Sequence, residues 1–175
     1  MVVMGIDAST SSTGWSIFNS ETKEKTDSGR IKTKGKDWRE KIQFQWEVIC
    51  EVIEKYNPKK IYAEDVPMKD GKLTIMKLGA VQGMIICLGK QYDIEVNFLL
   101  PSEWRGRLGL YDGTRNGTHR EVLKKKAIEM VNKTFNMNLV WVKEGSKLNE
   151  DDEAEAILIV YSQLKERKFG KPKSQ

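Results

Sequence analysis

Carboxylates stand in three places where an ordinary soluble protein has little use for them. Asp7 closes an apolar run over residues 2–6, and Glu64 closes a second run that begins at Lys60. The hexad Glu150-Asp151-Asp152-Glu153-Ala154-Glu155 opens the last apolar-periodic segment. Acids in a first helical turn have a plain explanation, since they complement the positive end of the helix dipole. Glu155 lies beyond that turn, three residues after Asp152, so the two share a face. Asp151 is a rival to Asp152 for that pairing. Carboxylates gathered at strand ends repel one another unless a cation balances them. An oxygen-only donor set suits Mg²⁺ or Mn²⁺, whereas zinc favours His and Cys, and the chain has one His. Four carboxylates balance two divalent ions, and two such ions about 4 Å apart can clamp an in-line displacement at phosphorus.

The elements that must position these acids follow from hydrophobic periodicity. Residues 2–6, 15–18 and 26–32 read as three strands joined by short polar turns, an antiparallel meander. A helix is expected over Trp38–Tyr56, with Ile42, Trp46, Ile49 and Ile53 on one face, Asp37 as its N-cap and Asn57-Pro58 as its stop. Residues 60–67 form a strand that a helical crossover places parallel to a neighbour. A second helix over 73–92 carries Gly79 and Gly83, whose spacing suggests close packing, and a strand over 95–100 ends at Pro101. Residues 102–118 look irregular, rich in Gly and Arg; a basic helix covers about 119–134, and residues 138–143 read as a short strand or buried segment. The last helix runs from 149 or 150 to about 167.

The chain has 175 residues, 39% hydrophobic and 31% charged, with a net charge of +5, which fits one domain with a sizeable core. No apolar run looks long enough for a membrane span, and no secretory pattern stands at the N-terminus, so a cytoplasmic protein without membrane partners is expected. Cys50 and Cys87 read as small core residues in a reducing compartment. From Lys165 onward five basic residues face one acid. The expected organisation is a single domain over 1–167 and a basic, flexible tail over 168–175.

The order of elements and acids resembles the RNase H-like superfamily, and within it the RuvC-type Holliday junction resolvases. The residues that carry the resemblance are Gly5-Ile6-Asp7-Ala8-Ser9 with Thr13-Gly14-Trp15, Ala63-Glu64-Asp65-Val66 with Lys77-Leu78-Gly79 and Gly83, and Asp152-Glu153-Ala154-Glu155-Ala156. The resemblance implies an α/β fold with a central mixed five-stranded sheet flanked by helices, the meander being extended by two parallel strands. It implies catalytic, metal-holding acids at Asp7, Glu64, Asp152 and Glu155, with two Mg²⁺ or Mn²⁺ ions, and a supporting role for Asp65. It also implies DNA contacts from Arg105, Arg107, Arg115, His119, Arg120 and Lys124, a homodimer that makes paired cuts, and four-way or forked DNA as substrate. Gly79, Gly83 and the run 84–88 are the candidate dimer face. Val66-Pro67-Met68 stands where bacterial relatives tend to carry a wedging aromatic, which suits a relaxed, phage-like member. Three other readings compete: a nuclease of RNA or RNA–DNA hybrids, a non-catalytic nucleic-acid-binding module, and a sugar-kinase or actin-like phosphotransferase. The last needs a second domain that this length leaves no room for.

Overall fold

A computed structural model describes residues 1–66 and 71–165 of the chain. The meander consists of β1 (Val2–Ala8), β2 (Ser12–Asn19) and β3 (Lys25–Lys32). Helix α1 (Trp38–Tyr56) then crosses over to β4 (Lys60–Glu64), and α2 (Lys72–Gln91) to β5 (Glu95–Leu99). The sheet order is β3-β2-β1-β4-β5, antiparallel across the meander and parallel from β1 to β5, as the sequence led us to expect. Helices α3 (Pro101–Leu108), α4 (Arg120–Phe135) and α5 (Asp151–Leu164) follow.

Strand alternation divides the core in two. Met4, Ile6, Ile17 and Ile61 face α1 and α2, meeting Ile49, Ile53, Val81, Ile85 and Leu88. Val3 and Phe18 face the other way, onto Trp104, Leu123, Ala127, Ile157 and Leu158 of the last three helices. Asp7 has the parity of Val3, and Glu64 that of Tyr62, which packs on the same core. Both acids therefore point to the face that α5 covers. Helix α5 approaches unusually closely because β1 and β2 offer it glycines. A Cβ at Gly5 would lie 2.3 Å from the Ala156 carbonyl oxygen, and one at Gly14 would lie 1.8 Å from that of Asp152. The Ser16 hydroxyl donates to the Ala156 carbonyl at 2.8 Å and fixes the crossing.

Several expectations need correction. Residues 101–108 are helical, although 102–118 read as irregular and Pro101 as the end of a strand. Pro101 supplies the fixed φ of a first helical position, the Glu103 carboxylate accepts the Leu100 N–H at 3.1 Å, and Gly109 ends the helix at φ 72. Burial of Trp104 and Leu108 then stabilises the helix against its glycine. Residues 138–143 form no strand, because side chains satisfy their backbone instead. Asn132 brackets Leu139 from both sides, Glu150 accepts the Val140 N–H at 2.8 Å, and Asn149 accepts the Val142 N–H at 2.8 Å.

On α1 the inward residue is Gln45, whose amide donates to the Ser9 carbonyl at 2.6 Å, while Trp46 points out. Asp37 caps this helix as expected, accepting N–H bonds from Arg39 and Glu40 at 2.7 and 3.0 Å. A Cβ at Gly79 or Gly83 would meet nothing within 4 Å among the described residues, and Cys87 is exposed rather than core. Helix α2 is in fact long and apolar enough to cross a membrane by length and composition. Its buried residues Val81, Met84, Ile85 and Leu88 belong to the core beneath α1. The expected tail over 168–175 and the Pro67-Met68 loop lie outside the described residues.

Candidate active site

Parallel pairing of β1 with β4 brings the ends of both strands to the same edge of the sheet, which places Asp7 beside Glu64. Helix α5 enters across Gly14, so its first two turns deliver Asp152 and Glu155 to that edge. All four expected acids line one cleft of about 980 Å³. Ser9 closes the turn after Asp7: its N–H donates to the Ser12 carbonyl at 3.0 Å, and its hydroxyl donates to the same oxygen at 2.8 Å. Gln45 holds this turn from below, so Asp7 sits at the end of a fixed strand.

The electrostatics are those of crowded acids. Burial and the charges of Glu155, Glu64 and Asp152 push the Asp7 carboxyl well above the usual carboxylate range, with Arg105 opposing. Burial, then Glu155, raise Glu64 to about 7, against the pull of Arg105, the Trp104 indole and Arg120. Burial also raises Asp152, with the charges of Asp151 and Glu155 adding to it and that of Lys124 opposing. Asp151 differs, because Lys124 Nζ lies 2.6 Å from its carboxylate. That ion pair gives Asp151 its own cation and leaves Asp152 as the member that interacts with Glu155 and Asp7.

Among the described residues, no three His, Cys, Asp or Glu side chains are drawn together tightly enough to grip an ion. A guanidinium stands in their midst instead. Arg105 Nη2 is 2.7 Å from Glu155 Oε1 and 3.4 Å from Glu64 Oε2, and the Trp104 indole N–H donates to the same Glu64 oxygen at 2.9 Å. Both residues come from α3, the helix that sequence reading missed.

The expected DNA-contacting residues separate into two groups. Arg105, Arg120 and Lys124 line the cleft. Arg107 points outward and binds the Gln163 side chain, Arg115 is exposed in the 109–118 loop, and His119 is exposed at the N-cap of α4 without a side-chain capping bond. Asp65 ties the end of β4 to α2, accepting from the Gln82 amide at 2.8 Å. A basic flank of the cleft went unread: Arg30 and Lys32 on β3, Lys41 on α1, and Lys147. The alternation of Arg30 and Lys32 along one strand was the available signal, since residues two apart share a face. The cleft thus has an acidic floor and a cationic rim, an arrangement able to hold a polyanion over a cation site.

A family model described as "Crossover junction endodeoxyribonuclease RuvC" matches residues 3–138. The protein of that name from Rickettsia bellii is 26% identical over 167 residues, covering 94% of this chain and 97% of its own length. That from Dictyoglomus thermophilum is 28% identical over 136 residues, covering 73% of this chain and 85% of its own length. Among solved structures, T. thermophilus RuvC in complex with a Holliday junction substrate superimposes with a TM-score of 0.68 at 17% identity, covering 93% of this chain and 92% of that one. Fowlpox virus resolvase bound to substrate Holliday junction DNA gives 0.57 at 14% identity, covering 93% and 97%. The last two structures establish a shared fold.

Proposed function

The chain belongs to the RuvC family of crossover junction endodeoxyribonucleases, and on that footing we propose that it resolves four-way DNA junctions by metal-dependent phosphodiester hydrolysis. The observation that carries the reading is the convergence of Asp7, Glu64, Asp152 and Glu155 from three elements on one buried, cation-rimmed edge of the sheet. The donor set fits hard divalent ions: it is all oxygen, and burial together with the neighbouring negative charges already raises three of the four carboxyls. Mg²⁺ or Mn²⁺, two ions per site, would be held by these four residues and would supply water activation and stabilisation of the leaving oxygen.

The chain's own residues do the rest. Arg120 and Lys124 on one side, and Arg30, Lys32, Lys41 and Lys147 on the other, hold the phosphate backbone over the acids. Trp104 fixes the Glu64 carboxylate by its indole N–H. Burial of the acids keeps competing solvent away from their oxygens. Two symmetric cuts call for a two-fold homodimer, and the outer face of α2, with Leu73, Met76 and Ile86 exposed, is our candidate for its interface. Gly79 and Gly83, with open space beside them among the described residues, would then serve packing between chains. The reading places the enzyme in the cytoplasm, with a relaxed choice among branched DNAs.

The test is cleavage of a synthetic four-way junction beside a fork, a linear duplex and an RNA–DNA hybrid, with Mg²⁺, Mn²⁺ or a chelator. Paired nicks in the junction, dependent on either metal and absent from the duplex, are expected. Preferential cutting of the hybrid would replace this reading with that of a ribonuclease.

A further inference from the structure

Arg105 is held in an unusual way. Its helix is anchored by Trp104, which is fully buried, and its guanidinium lies over the Trp104 ring at 4.6 Å from the centroid. One nitrogen, Nη2, serves both Glu64 and Glu155. Yet Nε is buried with no hydrogen-bond partner among the described residues. An arginine built permanently into a protein interior satisfies its donors, because an unpaired buried N–H is costly. Asp7, meanwhile, forms no ion pair among the described residues. The Arg105 guanidinium thus serves two carboxylates directly and leaves one of its own donors unsatisfied.

We infer that Arg105 is a placeholder for the divalent cation: it bridges Glu64 and Glu155 in the ion-free enzyme, and an arriving ion must displace it. This rests on the metal-dependent reading above. A guanidinium within hydrogen-bond reach of both carboxylates and an ion bonded to the same oxygens would be like charges in near contact, so the two occupancies exclude each other. The bridge keeps the two carboxylates from repelling each other apart before the ion arrives. Displacement sends the guanidinium into the cleft, on the side of Arg120 and Lys124, where a DNA phosphate is its natural acceptor. Arg105 is thereby a positioning residue that couples ion binding to the substrate side of the cleft.

The experiment is metal titration by calorimetry, without DNA, of the wild-type chain and of Arg105→Gln, Arg105→Lys and Arg107→Gln. Mg²⁺ and Mn²⁺ should bind Arg105→Gln about tenfold or more tightly than wild type, since a charge competing for the ligands has been removed. Arg105→Lys, which keeps the charge but can satisfy only one carboxylate well, should fall between them and folds even if the Gln variant does not. Arg107→Gln, of equal charge change on the same helix but turned away from the cleft, should match wild type. The melting temperature should repeat the pattern: lower than wild type in metal-free Arg105→Gln, with a larger rise on adding MgCl₂. Equal or weaker metal binding by both Arg105 variants overturns the inference alone. Absence of binding by every chain overturns it together with the metal-dependent reading.

Discussion

The two ends of β4 treat a carboxylate in opposite ways. At its start, Lys60 reaches Glu95 on the neighbouring β5 at 2.8 Å, and that hydrogen bond holds the Glu95 carboxyl below its ordinary range. At its end, Glu64 is buried beside Glu155 and is pushed up to about 7. Four positions along the strand separate Lys60, which has a carboxylate to itself, from Glu64, which shares Arg105 with Glu155. The same contrast recurs within one turn of α5, where Asp151 owns Lys124 and its neighbour Asp152 does not. Paired charges belong to the frame. Acids that outnumber their cations are the part of the molecule whose arrangement folding alone does not explain, and they are where we propose that an external cation binds.

The contrast can be broken most severely at Asp7. Asp7→Asn removes one donor and almost no volume, so junction cleavage should fall about a thousandfold or more while junction affinity is kept; a gel-shift and a nicking assay on one preparation decide it. The next test compares neighbours. Asp152→Asn should cost about a hundredfold or more in cleavage, whereas Asp151→Asn, which strands Lys124, should cost chiefly stability. Reversed effects would give the ligand role to Asp151.

A third test reads pH. The folded Glu64 carboxyl titrates near 7, above its unfolded value near 4.5, so between those values the native state holds a proton that the unfolded state has released. Stability of the metal-free protein should therefore be highest below pH 4.5 as far as this group is concerned, and its contribution should be lost as pH rises through 7. Glu64→Gln should raise the melting temperature at pH 8, little at pH 5, and flatten the profile between. The smallest effect belongs to the other end of the strand. Glu95→Gln breaks an ion pair whose acid is largely exposed and screened by solvent, and should leave the melting temperature almost unchanged.

The strands and the sheet order were legible because alternation and a helical crossover constrain them tightly, and the acids were legible because a charge in an apolar run violates that alternation. Helix α3 was not. Its sequence, Pro101 to Leu108, holds a glycine and two arginines, and its helicity depends on Trp104 finding a cavity that only the folded α4 and α5 create. With α3 unread, the partnership of Arg105 with Glu64 and Glu155 was invisible, and Arg105 looked like a plain DNA contact. The 138–143 segment misled for the opposite reason: its apolar alternation is that of a strand, but Asn132 and Asn149 supply the hydrogen bonds that a neighbouring strand would. Arg30 and Lys32 lay on a strand whose polar face carried no chemical oddity, so nothing tied them to the acids until the cleft did. The choice between Asp151 and Asp152 needed Lys124, which is 27 residues away in the chain but in contact across α4 and α5.

The proposed chemistry and the role of Arg105 both depend on where a divalent ion binds. Crystals grown with MnCl₂, with anomalous scattering measured at the manganese edge, locate it directly. The account predicts anomalous peaks bonded to the carboxylates of Asp7, Glu64, Asp152 and Glu155, with the Arg105 guanidinium withdrawn from Glu64 and Glu155. Manganese bound elsewhere, with Arg105 still bridging those two glutamates, would contradict it.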